Sequence, residues 1–520
     1  MQNNFEDFEA RSVDKGEVVA AKYIPPELPK FKGNPLIEAL PPINTRKRAI
    51  TLMQRGVEYS NDLRLAPAHL RSHMVMDILH YLQPLPNHLR LESGVSRVLR
   101  DGYLGRNPLD PAYWGALQQR LEHFRSKPQK NVRVESTAAG FAILGMSGMG
   151  KTTAIRAVLF LYPQIIIHNE YRGEKFTKVQ VLWLRLQCPK DGSTRSLCVK
   201  FFAALDELLG TKYEETYGGK SRNTEELLWN MGLVAANHHL GILVIDEIQN
   251  LSQAHSGGAA EMLAFFVELI NQIGLPVLLI GTYLAVPIVS KLFSQARRCS
   301  GQGDLIWDAM EFDEDWNLLV ETLWDLQYVQ KPCKLTKQLS MTLHELSYGI
   351  VDLANRIYMA AQWRAIETKL EEITEPLLRS AYRDDFRLVS DILETRKSGN
   401  LSAIEQCSDL FPPKVMPISQ TATADTKAPN NSNEGVANDE AESQVKISNP
   451  QPKPSKSVRS KRRPTTPAGT KSSKKKNNSI KFEKDDLRGV IAESASVTPS
   501  ASAYESLLRA GCLKSANEFV

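Results

Sequence analysis

The chain has 520 residues, 42% of them hydrophobic and 24% charged, with a formal net charge of +5, too long for one compact core and enough for two to four folding units. The nearest approach to a membrane span, Leu275 to Val289, is broken by Pro276, Gly281 and Pro287, and the first thirty residues are charged and lack an apolar h-region, so neither a spanning helix nor a secretory signal is expected. Six scattered cysteines without a C-x-x-C pair fit a reduced cytosolic protein with no structural zinc.

In chain order, Pro25, Pro26, Pro29, Pro35, Pro41 and Pro42 make the opening extended and loop-like. Helical patches follow near 64–82 and 113–126, so residues 1–130 read as an N-terminal extension, assigned to partner binding. From about 131 to 332 the pattern alternates. Strands are expected at 141–145, 179–187, 242–246, 275–281 and 305–310, and helices near 151–160, 195–209, 224–239, 259–272, 284–297 and 314–328. This alternation predicts an α/β fold, a parallel sheet with helices on both faces. Residues 333–411 turn helical, with Leu339, Leu343 and Leu346, then Ile350, Leu353 and Ile357, at helical spacing, as in a small all-α lid. Residues 412–520 form a tail. Between Lys446 and Lys484 it carries thirteen Lys and Arg against the single acid Glu483, leaving a net charge of about −7 for the rest of the chain. The stretch Pro412 to Asn478 has a disordered composition. Tyr504, Leu507, Leu508 and Cys512 can share a helical face that docks on a partner, or can simply fray.

Two motifs carry chemistry. Gly145-Met146-Ser147-Gly148-Met149-Gly150-Lys151-Thr152 matches G-x-x-x-x-G-K-[ST] between a predicted strand and a helix. Glycines there let backbone N–H groups converge on an anion at the helix N-terminus. Gly145, Ser147, Gly148, Met149, Gly150, Lys151, Thr152 and Thr153 are thus assigned to ATP phosphates, with Thr152 also a ligand of Mg²⁺. In Gly241-Ile242-Leu243-Val244-Ile245-Asp246-Glu247 an apolar run of the kind buried on both faces ends in paired carboxylates. Asp246 is the second Mg²⁺ residue and Glu247 the general base toward water. Thr282, ending the next strand, either senses the γ-phosphate or merely closes a strand. Arg297 and Arg298 read as an arginine finger acting across a subunit contact, or as a basic helix end. Arg356, in the lid after Gly349, is a further phosphate contact.

The runs Leu240 to Ser252, Ser256 to Gly258, Glu261 to Leu263 and Phe265 to Val267, with Gly192-Ser193, Phe201-Phe202, Ala204 to Asp206 and Ala296 to Arg298, resemble the AAA+ transposition regulators of the TnsC/TniB type. So do Asn34 to Pro42 and Gly102 to Pro108, and the likeness spans roughly residues 34 to 410. The resemblance implies a P-loop AAA+ (ASCE) core and an ATPase that assembles as a ring or helical homo-oligomer on double-stranded DNA. It implies recruitment by a target selector of the TniQ/TnsD kind, contact with a TnsB-like transposase and a TnsA-like endonuclease, and hydrolysis that drives disassembly. It also implies a cytoplasmic bacterial protein, at the nucleoid when on DNA. In such a ring the segment after the second core strand can face the pore, which nominates Lys190, Thr194, Arg195 and Lys212 as DNA contacts tracking the backbone, against the alternative of solvated loop charges. A replication initiator or helicase loader, or a non-hydrolysing nucleotide-binding adaptor, are the rival readings.

Overall fold

The computed structural model of the chain describes residues 15–115, 117, 138–219, 223–253, 258–295 and 303–387. Five parallel strands form the central sheet in the order β5 (Trp183–Gln187), β6 (Ile242–Asp246), β7 (Val277–Gly281), β2 (Phe141–Gly145), β8 (Leu305–Trp307). Helices cover both faces, and period-2 alternation divides the strand residues between them. Phe141, Ile143, Ile242, Val244, Leu278 and Ile280 join one buried cluster, and Ala142, Leu144, Leu243, Ile245, Val277 and Leu279 join the other. The first cluster is completed by α3 (Pro86–Leu104), α4 (Lys151–Leu159) and the C-terminal helices; the second by α5 (Thr194–Leu209), α6 (Thr224–Asn237) and α7 (Gly258–Glu268). The predicted α/β class and its parallel core are therefore present.

Helix α3 was not foreseen, although Leu91, Val95, Val98 and Leu99 form an apolar stripe at helical spacing and are fully buried. It lies against α4 and β6. Gly94 admits the Phe141 ring, which a Cβ would approach to 3.3 Å. In its last turn the Tyr103 hydroxyl donates to the His239 carbonyl (2.8 Å), and just past its end Arg106 Nη1 donates to that of Leu240 (2.6 Å), so this part of the extension is fastened to the strand that carries the acidic pair.

The single strand expected at 179–187 is two. Leu182, whose N–H donates to the Gln164 carbonyl at 2.8 Å, separates β4 (Glu174–Val181) from the core strand β5. β4 pairs antiparallel with β3 (Ile165–Tyr171), and β1 (Val18–Ala20) adds parallel to β3, giving a second three-stranded sheet. The hairpin turns through Arg172 and Gly173, at φ +53° and +82°, the left-handed pair that matches strand twist in two-residue loops.

Helix α8 (Val286–Gln295) and α9 (Glu314–Trp324) lead to the lid, made of α10 (Lys337–Ser347), α11 (Val351–Glu367) and α12 (Glu375–Asp385). Upstream, α1 (Arg46–Met53) precedes α2 (Ala68–Met74), and the segment around α2 is stapled to the lid region. Arg71, 1% exposed, forks onto the Glu371 carboxylate (2.7 Å to each oxygen), and Trp363 Nε1 donates to the Ser72 carbonyl at 2.7 Å. Residues after 387, residues 116 and 118–126 of the expected 113–126 helix, and Arg297 and Arg298 lie outside the described residues. Among those described, no helix is long and apolar enough to cross a membrane, and Cys188, Cys198 and Cys333 are free thiols.

Candidate nucleotide site

At the C-terminal ends of β2, β6 and β7 lies a cavity of about 680 Å³ lined by Ser147 to Thr153, Asp246, Glu247 and Thr282. This is where ligands sit in parallel α/β sheets. Gly145 bends the chain away from β2 at φ +150°, a Cβ there falling 2.1 Å from the Trp307 carbonyl oxygen; Gly150 caps α4 in the left-handed region at φ +76°. Both geometries favour glycine. Lys151 is buried, and its ammonium donates to the carbonyls of Gly145 (3.0 Å) and Met146 (2.7 Å). The loop's own oxygens thus keep a buried cation satisfied, and an incoming phosphate would exchange one set of charge-assisted bonds for another.

Thr152 Oγ1 donates to Asp246 Oδ2 at 3.0 Å, Arg185 Nη1 reaches the same oxygen at 3.1 Å, and the Glu247 N–H donates to Oδ1 at 2.9 Å. Arg185 was missed by sequence reasoning. Its signal was a lone cation inside Val181-Leu182-Trp183-Leu184-Arg185-Leu186; β5 and β6 run side by side, with Gln187 in register with Asp246. Thr152 and Asp246 form a hard-oxygen donor pair of the kind Mg²⁺ takes when phosphate oxygens and water complete its shell. Among the described residues no group of three or more His, Cys, Asp or Glu gathers as a metal site of its own.

Glu247 is exposed, with its backbone at φ +59°, left-handed and costly for a non-glycine residue. Its carboxylate accepts from Gln249 Nε2, and Gln249 Oε1 accepts from the Thr282 N–H at 3.1 Å. Strand β7 lies beside β6 and delivers Thr282 to the cavity, as the sequence predicted.

The other sequence-predicted residues fall differently. Arg356 does not line the cavity; its side chain is 55% exposed and paired with Asp352 one turn earlier, at 2.8 Å. The lid reaches the loop through its backbone instead, where the Asp352 N–H donates to the Gly148 carbonyl at 3.0 Å. Thr194 is 3% exposed, because the first turn of α5 packs inward, so it presents nothing to DNA. Lys190 and Lys212 are exposed, while Arg195 donates to the Gly219 carbonyl at 2.7 Å.

The outer wall of the cavity was not anticipated. Tyr81, Leu82, Gln83, Leu85, His88 and Arg90 come to it from the N-terminal segment. His88 is buried against the Trp307 ring, with its Nδ1 on the Leu85 N–H, and burial pushes its pKa down to about 4, leaving it neutral.

Residues 134–288 match the family model of an AAA domain. No curated protein sequence matches the chain significantly. Among solved structures it is similar to the ORC1 protein of Aeropyrum pernix in complex with DNA (16% identity over 56% of this chain and 70% of that one, TM-score 0.34). It is also similar to a Walker-type ATPase of Pyrococcus abyssi (13%, 54% and 75%, TM-score 0.34) and to Drosophila ORC bound to DNA (13%, 69% and 84%, TM-score 0.35).

Proposed function

We propose that the chain is an ATP-hydrolysing regulator of DNA transposition that oligomerises on duplex target DNA and links a target selector to the transposase. The observation that carries the nucleotide part is the convergence of Lys151, Thr152, Asp246, Glu247 and Thr282 on one cavity. The transposition part rests on the residue-level resemblance to TnsC/TniB-type regulators. ATP is the substrate: the loop amides and Lys151 hold its phosphates, and Thr282 meets the γ-phosphate end. Mg²⁺, held by Thr152 and Asp246, would neutralise phosphate charge. Glu247 orients a water and takes its proton as the water oxygen bonds to the γ-phosphorus; the bond to the bridging oxygen breaks and ADP leaves with that electron pair. Arg297 and Arg298 are the proposed contribution of a neighbouring copy.

For the duplex, exposed Lys190 and Lys212, with Arg195, remain as proposed contacts. A denser cationic surface is presented by Arg46, Lys47 and Arg48 in the first turn of α1 and by Arg90 and Arg97 on one side of α3. Arg46, Arg90 and Arg97 line one concavity of about 420 Å³ whose single carboxylate, Glu92, is buried and shifted upward by desolvation. Cations in a helix's first turn oppose its dipole, a local cost that an anionic partner offsets.

Lys151→Ala should abolish ATP-dependent duplex binding, and Glu247→Gln should bind ATP and stay assembled on DNA. Undiminished binding by the first at matched salt, or rapid turnover by the second, refutes nucleotide control. A replication initiator or helicase loader would share this site; ATP-dependent transposition in a reconstituted mixture of selector, transposase and this chain separates the readings, and its absence counts against transposition.

A further inference from the structure

Gln249 lies two residues beyond the proposed base, on the short turn Ile248–Gln253 that follows β6. Its amide spans two elements of the site. The Thr282 backbone N–H can only donate, so the amide edge facing it at 3.1 Å must be Oε1. That fixes the flip of the side chain and turns the NH₂ group onto the Glu247 carboxylate. The room for this amide is made by Gly281, the last residue of β7. A Cβ there would fall 2.6 Å from Ile248 Cγ2, 2.9 Å from Gln249 Oε1 and 3.1 Å from Ala285 Cβ. Glu247 needs such support: it is exposed, its backbone is left-handed, and a free Glu side chain samples several rotamers.

We infer that Gln249 is a positioning residue that ties the Glu247 carboxylate to the strand end bearing Thr282, so that the base is aimed by the same segment that meets the γ-phosphate. This rests on the hydrolysis reading above and goes beyond it, by coupling base geometry to phosphate sensing through one side chain. A shift of the β7 end on phosphate contact moves the acceptor's partner and, through the rigid amide, the carboxylate. Placing a reacting group within a fraction of an ångström is worth on the order of a hundred-fold in rate.

The test uses the full chain with duplex DNA and Mg²⁺–ATP. Gln249→Glu keeps the size and the acceptor for Thr282 but loses the donor and adds a like charge; Gln249→Met keeps the size and loses both bonds. Each should lower kcat roughly ten- to hundred-fold; in Gln249→Met, which adds no charge to the cavity, ATP affinity and melting temperature should stay within error of wild type, and Gly281→Ala should lower kcat in the same direction. In a Glu247→Ala background, the residual single-turnover rate should be indifferent to Gln249→Glu. A kcat within two-fold of wild type in the Gln249→Glu variant overturns the inference, as does a further drop in the Glu247→Ala background, which would mark a merely structural role. Wild-type protein that binds ATP and never releases phosphate overturns the hydrolysis reading itself, a separate result.

Discussion

Arg71→Met tests whether the N-terminal segment is a structural part of the nucleotide-binding body. Arg71 is almost fully buried and donates to the carbonyls of Ala66 and Tyr328 (2.9 Å each) and to both oxygens of Glu371 (2.7 Å each). Removing the guanidinium leaves the Glu371 carboxylate, which is itself buried, with the Gln330 N–H at 3.1 Å as a remaining donor. Breaking one side of such a pair costs about 3–5 kcal/mol. At a urea m-value of about 3 kcal/mol per M, that lowers the midpoint by about 1 M or more, readable by tryptophan fluorescence. Trp363 reports locally, since its indole bonds to Ser72 beside Arg71. The double variant Arg71→Met/Glu371→Leu should recover much of the loss, because an apolar pair needs no compensation. The pH dependence has a definite sign. The hydrogen bond from Arg71 is the main cause holding the Glu371 pKa below the ordinary glutamate value of 4.5. The pair's contribution is therefore fully present above pH 4.5 and disappears as pH falls through the lowered folded value, so wild type and Arg71→Met should converge on acidification. A loss under about 1 kcal/mol in the single variant, or a double variant as costly as the two singles added, refutes the reasoning. ATP affinity should also fall in Arg71→Met, because the segment it anchors continues into Tyr81 to Arg90, the cavity wall.

Gly349→Ala should destabilise the lid contact: Gly349 sits at φ +71°, a Cβ would fall 2.1 Å from the Met310 carbonyl oxygen, and the two backbones are paired through Met310 N and Gly349 O at 2.9 Å. Strain of this kind costs about 1–3 kcal/mol, and an unchanged melting temperature would show that the lid relaxes around it. On DNA, neutralising Arg46 and Arg97 together should lower the slope of log affinity against log salt by about two, at roughly 0.9 per phosphate contact; an unchanged slope assigns that concavity to some other purpose.

Legibility followed the range of the interactions. Strand β6 and its acidic end, and the loop with its glycines, were readable because local sequence dictates them: a doubly covered strand must be apolar throughout, and a phosphate loop must take positive φ at Gly150. Helix α3 was overlooked because its stripe is interrupted by Glu92, Ser96 and Arg100, which are nonetheless buried; Arg100 is satisfied by Ser96 and the Pro41 carbonyl. The end of β4 and the core strand β5 read as one strand because Val181 to Leu184 is an unbroken apolar run across Leu182, and only the pairing of each half shows where one sheet ends. Arg356 illustrates the opposite failure: spacing placed it near the phosphates, but Asp352 at i−4 holds it at the surface. Arg185 and Gln249 act through contacts across strands or turns that periodicity cannot report.

The cavity's charge bears on assembly. Its lining includes carboxylates at Asp246, Glu247, Asp308, Glu311, Asp313, Asp315 and Asp352, while its cationic side chains are Lys151 and Arg90, His88 being neutral. Arg185 adds one cation behind Asp246 and is already engaged there. A triphosphate brought into such a cavity is under-neutralised by the described residues of one copy, even with a bound divalent ion taking part of the charge. The loop would hold the phosphates and leave the adenine toward the apolar Leu82, Ile306 and Met310. The deficit that remains is greatest on the γ-phosphate, the charge that changes on hydrolysis. On the proposed reading, an arginine supplied by a neighbouring copy would meet that charge, and loss of the phosphate would weaken the contact between copies, so assembly would follow nucleotide state through electrostatics at one position.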